Sequence, residues 1–177
     1  MIEVFFGAGS GKTSAAVGRA IRAAGNGLPV LFVSFLKDGS SGEISVLSKT
    51  EGIRIVFCKE FFGFVIEMND DQIKKTQEHY VQLINYVHAF CEENINNDNK
   101  LKGVIILDEI LHAYKAKLVE HDKVINLLNK YRDSFEFILT GSVENNTLNE
   151  MADYVTCFVN VKHPYQLGVS ARRGIEY

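Results

Sequence analysis

Gly7-Ala8-Gly9-Ser10-Gly11-Lys12-Thr13-Ser14 decides how the rest of the chain is read. It follows Ile2-Glu3-Val4-Phe5-Phe6, a short run with the composition of a buried strand, and precedes Ala15-Ala16-Val17-Gly18-Arg19-Ala20-Ile21, which reads as a helix. A glycine loop between a strand and a helix can turn successive backbone N–H groups toward phosphate oxygens, where residues with a Cβ would interfere. The helix N-terminus adds partial positive charge. Lys12 supplies a mobile cation for phosphates, and the Thr13 hydroxyl is placed to ligate Mg²⁺.

This context makes the stretch a P-loop, with one departure from the usual spacing. The common pattern wants glycine at the position of Phe6, and the first glycine, Gly7, comes one residue late. The loop is therefore either tighter than the common form or a variant of it.

Composition narrows the class. The 177 residues fit one domain spanning 1–177, long enough to bury a core without staples. The net charge of −3 leaves no global footprint for nucleic acid. Cys58, Cys91 and Cys157 are far apart and form no C-x-x-C pair, which argues against a zinc site or a disulfide framework and suits a reducing compartment. Met1 leads straight into the first strand, and no apolar run approaches the length of a membrane span. The expectation is a cytoplasmic protein without a leader or membrane anchor.

Downstream, strand and helix patterns alternate. A helix is expected from Thr13 to Ala24, with Ala16, Val17, Ala20, Ile21 and Ala24 on one face. Val30 to Phe35 is an uninterrupted apolar run, as in a strand covered on both faces. The polar loop Lys37–Glu43 follows at the edge where parallel sheets bind ligands, and it reads equally as a site or a solvated connector. Ile53–Phe57 is a further strand. Phe61-Phe62-Gly63-Phe64-Val65-Ile66 is aromatic without a clean period; it is either core or an apolar lip for a flat ligand, and composition favours core.

Asn69 or Asp70 caps a long helix to about Glu93, with Ile73, Thr76, Tyr80, Leu83, Ile84, Val87 and Cys91 inward; its His79 and His88 read as boundary residues. Gly103-Val104-Ile105-Ile106-Leu107-Asp108-Glu109 looks like a Walker B strand. It delivers two carboxylates to the sheet edge, where one can hold Mg²⁺ or orient a reacting group. Asp122–Tyr131 is a helix with Val124, Leu127, Leu128 and Tyr131 inward, Phe135–Thr140 a strand, and Asp153–Val161 a last extended stretch. The fold class is α/β: a three-layer P-loop NTPase-like fold, with a mostly parallel sheet and helices on both faces.

Over nearly its whole length the chain resembles the ATP:corrinoid adenosyltransferases. Gly7–Ser14 is similar to the family's G-N-G-K-G-K-T-T, which has the same late glycine. Ala16, Gly18, Ala20, Arg22, Ala23, Ala24, Gly25 and Gly27 match the pattern that follows it. Phe35-Leu36-Lys37 with Ser41-Gly42-Glu43 resembles F-x-K-G…T-G-E, Leu107-Asp108-Glu109 resembles L-D-E, and Thr140-Gly141 resembles the start of T-G-R. Ala152–Thr156, Val161–Pro164 and Gly174–Tyr177 resemble A-D-x-V-T, V-K-H-P and G-I-E-[FY].

The resemblance implies Mg-ATP bound by the P-loop and by Arg22, Lys37 and Glu43. Reduced cobalt of a corrinoid would attack the ribose 5′ carbon, and triphosphate would leave. Lys12 and Mg²⁺, held by Thr13 and a carboxylate (Glu109 first, Asp108 as the alternative), would neutralise the leaving group. Phe64 matches the phenylalanine of the family's G-F-T-W and would face the corrin, helping to strip the lower cobalt ligand. A flavoprotein-type reductant and a homodimer are implied as partners. Ser10, Ile66, Ser142 and Cys157 depart from the family pattern. They keep open a non-catalytic ATP- and corrinoid-binding protein. A nucleoside-type kinase is the other alternative, although three scattered cysteines cannot build the zinc lasso of many thymidine kinases.

Overall fold

The computed structural model describes residues 1–58, 60, 62–63, 65–95 and 101–175. In chain order the strands are β1 (Ile2–Phe6), β2 (Val30–Ser34), β3 (Ile53–Phe57), β4 (Gly103–Asp108), β5 (Phe135–Thr140) and β6 (Tyr154–Cys157). The helices are α1 (Lys12–Ala24), α2 (Gly42–Leu47), α3 (Asp70–Asn94), α4 (Ile110–Lys115), α5 (His121–Tyr131) and α6 (Asn146–Met151). Short 3₁₀ turns cover Val65–Glu67 and Pro164–Leu167. Among the described residues the strands form one sheet in the order β3-β2-β4-β5-β1-β6, and every pairing is parallel. All six strands therefore deliver their C-terminal ends to the same edge.

Alternation along the central strands divides the core in two. Val30, Phe32, Val104 and Ile106 face one side with α1 and α2. Leu31, Val33, Ile105 and Leu107 face the other, with α3, α4 and α5. A strand buried on both faces needs apolar residues at every position, which explains the unbroken runs in the sequence.

The long helix starts as expected: Asn69 accepts from the Gln72 N–H and Gln72 returns the bond, a capping box. Val124, Leu127, Leu128 and Tyr131 of α5 are all buried. No helix is long and apolar enough to cross a membrane among the described residues.

Two expectations change. Ala16 and Ala20 of the expected face of α1 are buried together with Ala23, and Val17 and Ala24 pack partly buried against the same core, while Ile21 is 46% exposed. Small residues let the helix sit close to the sheet, which leaves the larger Ile21 outside the contact line. The last extended stretch is a strand only over Tyr154–Cys157. It lies at the sheet edge and pairs with β1 alone. Beyond it, Phe158 turns to cover the glycine loop, its carbonyl accepting from the Gly9 N–H at 2.8 Å.

Candidate active site

The phosphate loop leaves β1 with Gly7 at φ 107° and enters α1 through Gly11 at φ 98°, both in the left-handed region open to glycine. The late first glycine thus stands where the backbone reverses. Gly9 is required for another reason: a Cβ there would lie 2.5 Å from the Phe158 carbonyl carbon and 2.6 Å from the Val159 nitrogen. Asn160 braces the same loop. Its Oδ1 accepts from Ser10 N at 3.1 Å and its Nδ2 donates to the Ala8 carbonyl at 3.0 Å. Lys12 folds back over the loop, donating to the carbonyls of Gly7 at 2.8 Å and Gly9 at 2.7 Å. Burial lowers its pKa, outweighing the nearby carboxylates of Glu109 and Asp108.

Across the loop, β4 and β5 deliver a second cluster. Asp108, the last residue of β4, is fully buried. Its Oδ1 accepts from Thr13 Oγ1 at 3.0 Å and Thr140 Oγ1 at 2.7 Å, and its Oδ2 from Lys37 Nζ at 2.7 Å. Thr140 sits on β5, the strand between β4 and β1. Its Oγ1 also accepts from the Glu109 N–H at 2.9 Å, so one hydroxyl fixes both residues of the acidic pair. Burial works to lower the Lys37 pKa, but the charge and hydrogen bond of Asp108, with Glu43 at 3.8 Å, raise it above the ordinary lysine value.

Glu109 has φ 64°, unusual for a residue with a Cβ, and caps the N-terminus of α4. Its Oε2 lies 2.6 Å from His112 Nδ1, and His112 Nε2 lies 2.9 Å from Ser142 Oγ. Burial acts to raise the Glu109 pKa, yet His112, Lys37 and Lys12 together hold it below the usual carboxylate value.

Two hollows meet at these residues. One, of about 560 Å³, is lined by Ser10 to Ser14, Glu109 and the tail residues Lys162, His163 and Tyr165. The other, of about 800 Å³, is largely apolar and is lined by Leu36, Val65, Ile66, Ala116 and Val143, with Lys37, Glu109 and His112 at its polar side. Glu109 belongs to both. Lys37 joins the apolar hollow to a third recess beside Thr13, Ser14 and Glu43. Ile66 is 94% exposed, so this part of the aromatic stretch is lip rather than core.

The structure brings together Gly7–Ser14, Lys37, Glu43, Asp108 and Glu109. Of the two carboxylates, Asp108 is the one that bonds Thr13. The structure does not bring Arg22 to the cleft. It is exposed, in the last turn of α1, and helical rise puts it roughly 15 Å from Lys12. Phe64 lies outside the described residues.

Sequence reasoning missed Thr140, His112, Asn160 and the lining residues of the tail as site residues. His112 stands three residues after Glu109 on a helix, a spacing that lets side chains meet. Thr140 stands in the Thr140-Gly141 stretch matched to T-G-R, but its bond to Asp108 follows from sheet order, and Asn160 reaches the loop from beyond the end of β6.

The Thr13 hydroxyl with Asp108 and Glu109 is an all-oxygen set that fits Mg²⁺. No group of three or more histidine, cysteine or acidic residues forms a self-sufficient metal site among the described residues.

A profile of the ATP:corrinoid adenosyltransferase family BtuR/CobO/CobP matches residues 1–177. A corrinoid adenosyltransferase of Salmonella typhimurium is 30% identical over 178 residues, covering all of this chain and 85% of that protein. One of Escherichia coli is 29% identical over 178 residues with the same coverage, and one of Sinorhizobium is 27% identical over 179 residues, covering 80% of that protein. The chain belongs to the ATP:corrinoid adenosyltransferase family.

Proposed function

We propose that this chain, acting as one domain, transfers the 5′-deoxyadenosyl group of ATP to the Co(I) of a reduced corrinoid. A Co–C bond forms as the bond between C5′ and its phosphate oxygen breaks, and the electron pair leaves with triphosphate. The observation that carries this reading is the junction of a phosphate cradle and a large apolar hollow, with Glu109 lining both. A displacement at carbon between two bulky reactants needs that adjacency.

Co(I) is itself the nucleophile, so the protein's work is alignment and charge neutralisation. The P-loop amides and the α1 N-terminus would hold the triphosphate, and Lys12 would exchange its two carbonyl partners for phosphate oxygens. Mg²⁺, when bound, supplies further positive charge to the leaving triphosphate. Thr13 and Asp108 are our choice for its protein ligands, with Glu109 beside them. Lys37 and Glu43 would close the nucleotide side. Phe64 and the exposed lip at Ile66 would meet the corrin face. We further propose a homodimer working in the cytoplasm, with a flavoprotein-type donor reducing the cobalt.

The test is anaerobic incubation of the protein with Mg-ATP and chemically reduced cob(I)alamin or cobinamide, followed by absorbance. Loss of the Co(I) spectrum with formation of a light-sensitive product is expected. ATP binding without that product would contradict the reading and favour a binding protein.

A further inference from the structure

We propose that Lys37 is the resident counter-cation of the nucleotide-free site, and that it exchanges Asp108 for a phosphate oxygen when a divalent ion enters with its nucleotide. The inference rests on the reading of Thr13 and Asp108 as protein ligands of that ion. Its consequence is that the site takes up the ion far more tightly as a nucleotide complex than alone.

Asp108 is fully buried, and a carboxylate taken out of water without a compensating cation is strongly destabilising. Lys37 is the compensation: its Nζ is 2.7 Å from Asp108 Oδ2 and 3.4 Å from Thr13 Oγ1. The ammonium therefore sits against Asp108 and Thr13, the two residues that would hold a divalent ion. The other Asp108 oxygen is already engaged by Thr13 and Thr140.

Lys37 is anchored at its base. The backbone just before it is fixed: Phe35 N donates to the Asp108 carbonyl at 2.9 Å, and Leu36 N donates to Tyr80 Oη at 2.8 Å. Leu36 itself is in the left-handed region at φ 54°. The root of the side chain is thus set while its four-carbon arm can swing. Glu43, 3.8 Å away, and the recess beside Thr13 and Ser14 lie within its reach.

The exchange follows from charge pairing. A free divalent ion that displaced the ammonium from Asp108 would leave Lys37 without its strongest partner in a partly buried place. An ion that arrives with a triphosphate brings anionic oxygens that can accept the displaced ammonium. Displacement is then favourable only in company with the phosphate chain.

The probe is Mn²⁺, followed by electron paramagnetic resonance without corrinoid, so the readout is independent of adenosyl transfer. Wild type is expected to bind Mn²⁺ weakly by itself and at least roughly tenfold more tightly once inorganic tripolyphosphate is added. Lys37→Met is expected to bind Mn²⁺ alone at least roughly tenfold more tightly than wild type. The double variant Asp108→Asn/Lys37→Met, which removes both charges together, is expected to lose that gain. Equal binding of Mn²⁺ alone by wild type and Lys37→Met would overturn the proposal, as would retention of the gain in the double variant. Wild type that binds Mn²⁺ equally with and without tripolyphosphate would overturn it with no variant at all. A protein that shows the expected pattern yet makes no adenosylcorrinoid would separate this inference from the proposed reaction.

Discussion

The two sides of the junction are built differently. On the phosphate side, side chains rise from the buried ends of β1, β4 and β5, and almost every polar group has a partner: Asp108 has three, Thr140 two, Lys12 two. On the apolar side, the lip residue Ile66 stands in solvent, 94% exposed. A small, highly charged group is recognised by fixed dipoles and charges, which a rigid scaffold must hold in place. A large flat apolar partner needs area, and exposed side chains on turns can supply it once covered. Substitutions on the first side should therefore cost chemistry, and stability as well where the group is buried, and those on the second should cost affinity for the apolar partner alone.

The sharpest break would come from Lys12→Ala. Because Lys12 bonds loop carbonyls rather than the core, its loss should leave the fold intact and lower kcat/KM for ATP by roughly 10²- to 10³-fold. Steady-state kinetics beside circular dichroism would read both, and a near-normal rate would remove Lys12 from the mechanism.

Gly9→Ala comes next. Its Cβ would press on the Phe158 backbone, which cannot retreat without breaking the bond from the Gly9 N–H. A stability loss of about 1–3 kcal/mol is expected in denaturant unfolding, together with weaker ATP binding by calorimetry. Unchanged values for both would mean that the tail does not brace the loop.

Thr140→Val keeps the shape of the side chain and removes its hydroxyl. Asp108 loses a donor and the Glu109 N–H loses its acceptor, at about 1–3 kcal/mol. Thermal unfolding would register this, and a neutral result would show that water replaces the hydroxyl.

The smallest effect on stability belongs to the other side. Ile66→Ser should change it by no more than about 0.5 kcal/mol and leave KM for ATP alone, while raising KM for the corrinoid. A shift in KM for ATP would erase the division between the two sides.

What is legible in the sequence follows the same division. The strands were legible because strands buried on both faces write continuous apolar runs, as in Val30–Ser34 and Gly103–Asp108. The P-loop was legible because its glycines have backbone reasons that appear in any sequence. What was not legible depends on sheet order. Nothing local in Phe135–Thr140 says that its strand lies between β1 and β4, and only that placement brings Thr140 to Asp108. On α1 only Ile21 leaves the expected face: hydrophobicity favours it, whereas close approach to the sheet favours alanine. Which carboxylate meets Thr13 is not legible either, because the left-handed turn at Glu109, which carries that side chain toward His112, has no local signature.

In the proposed reaction ATP reacts at its 5′ carbon, and the three phosphates depart as one unit. The decisive measurement is phosphorus NMR of the products after anaerobic turnover with a reduced corrinoid. Inorganic tripolyphosphate is expected in step with the light-sensitive adenosylcorrinoid. Release of ADP would contradict it and point to phosphoryl transfer instead.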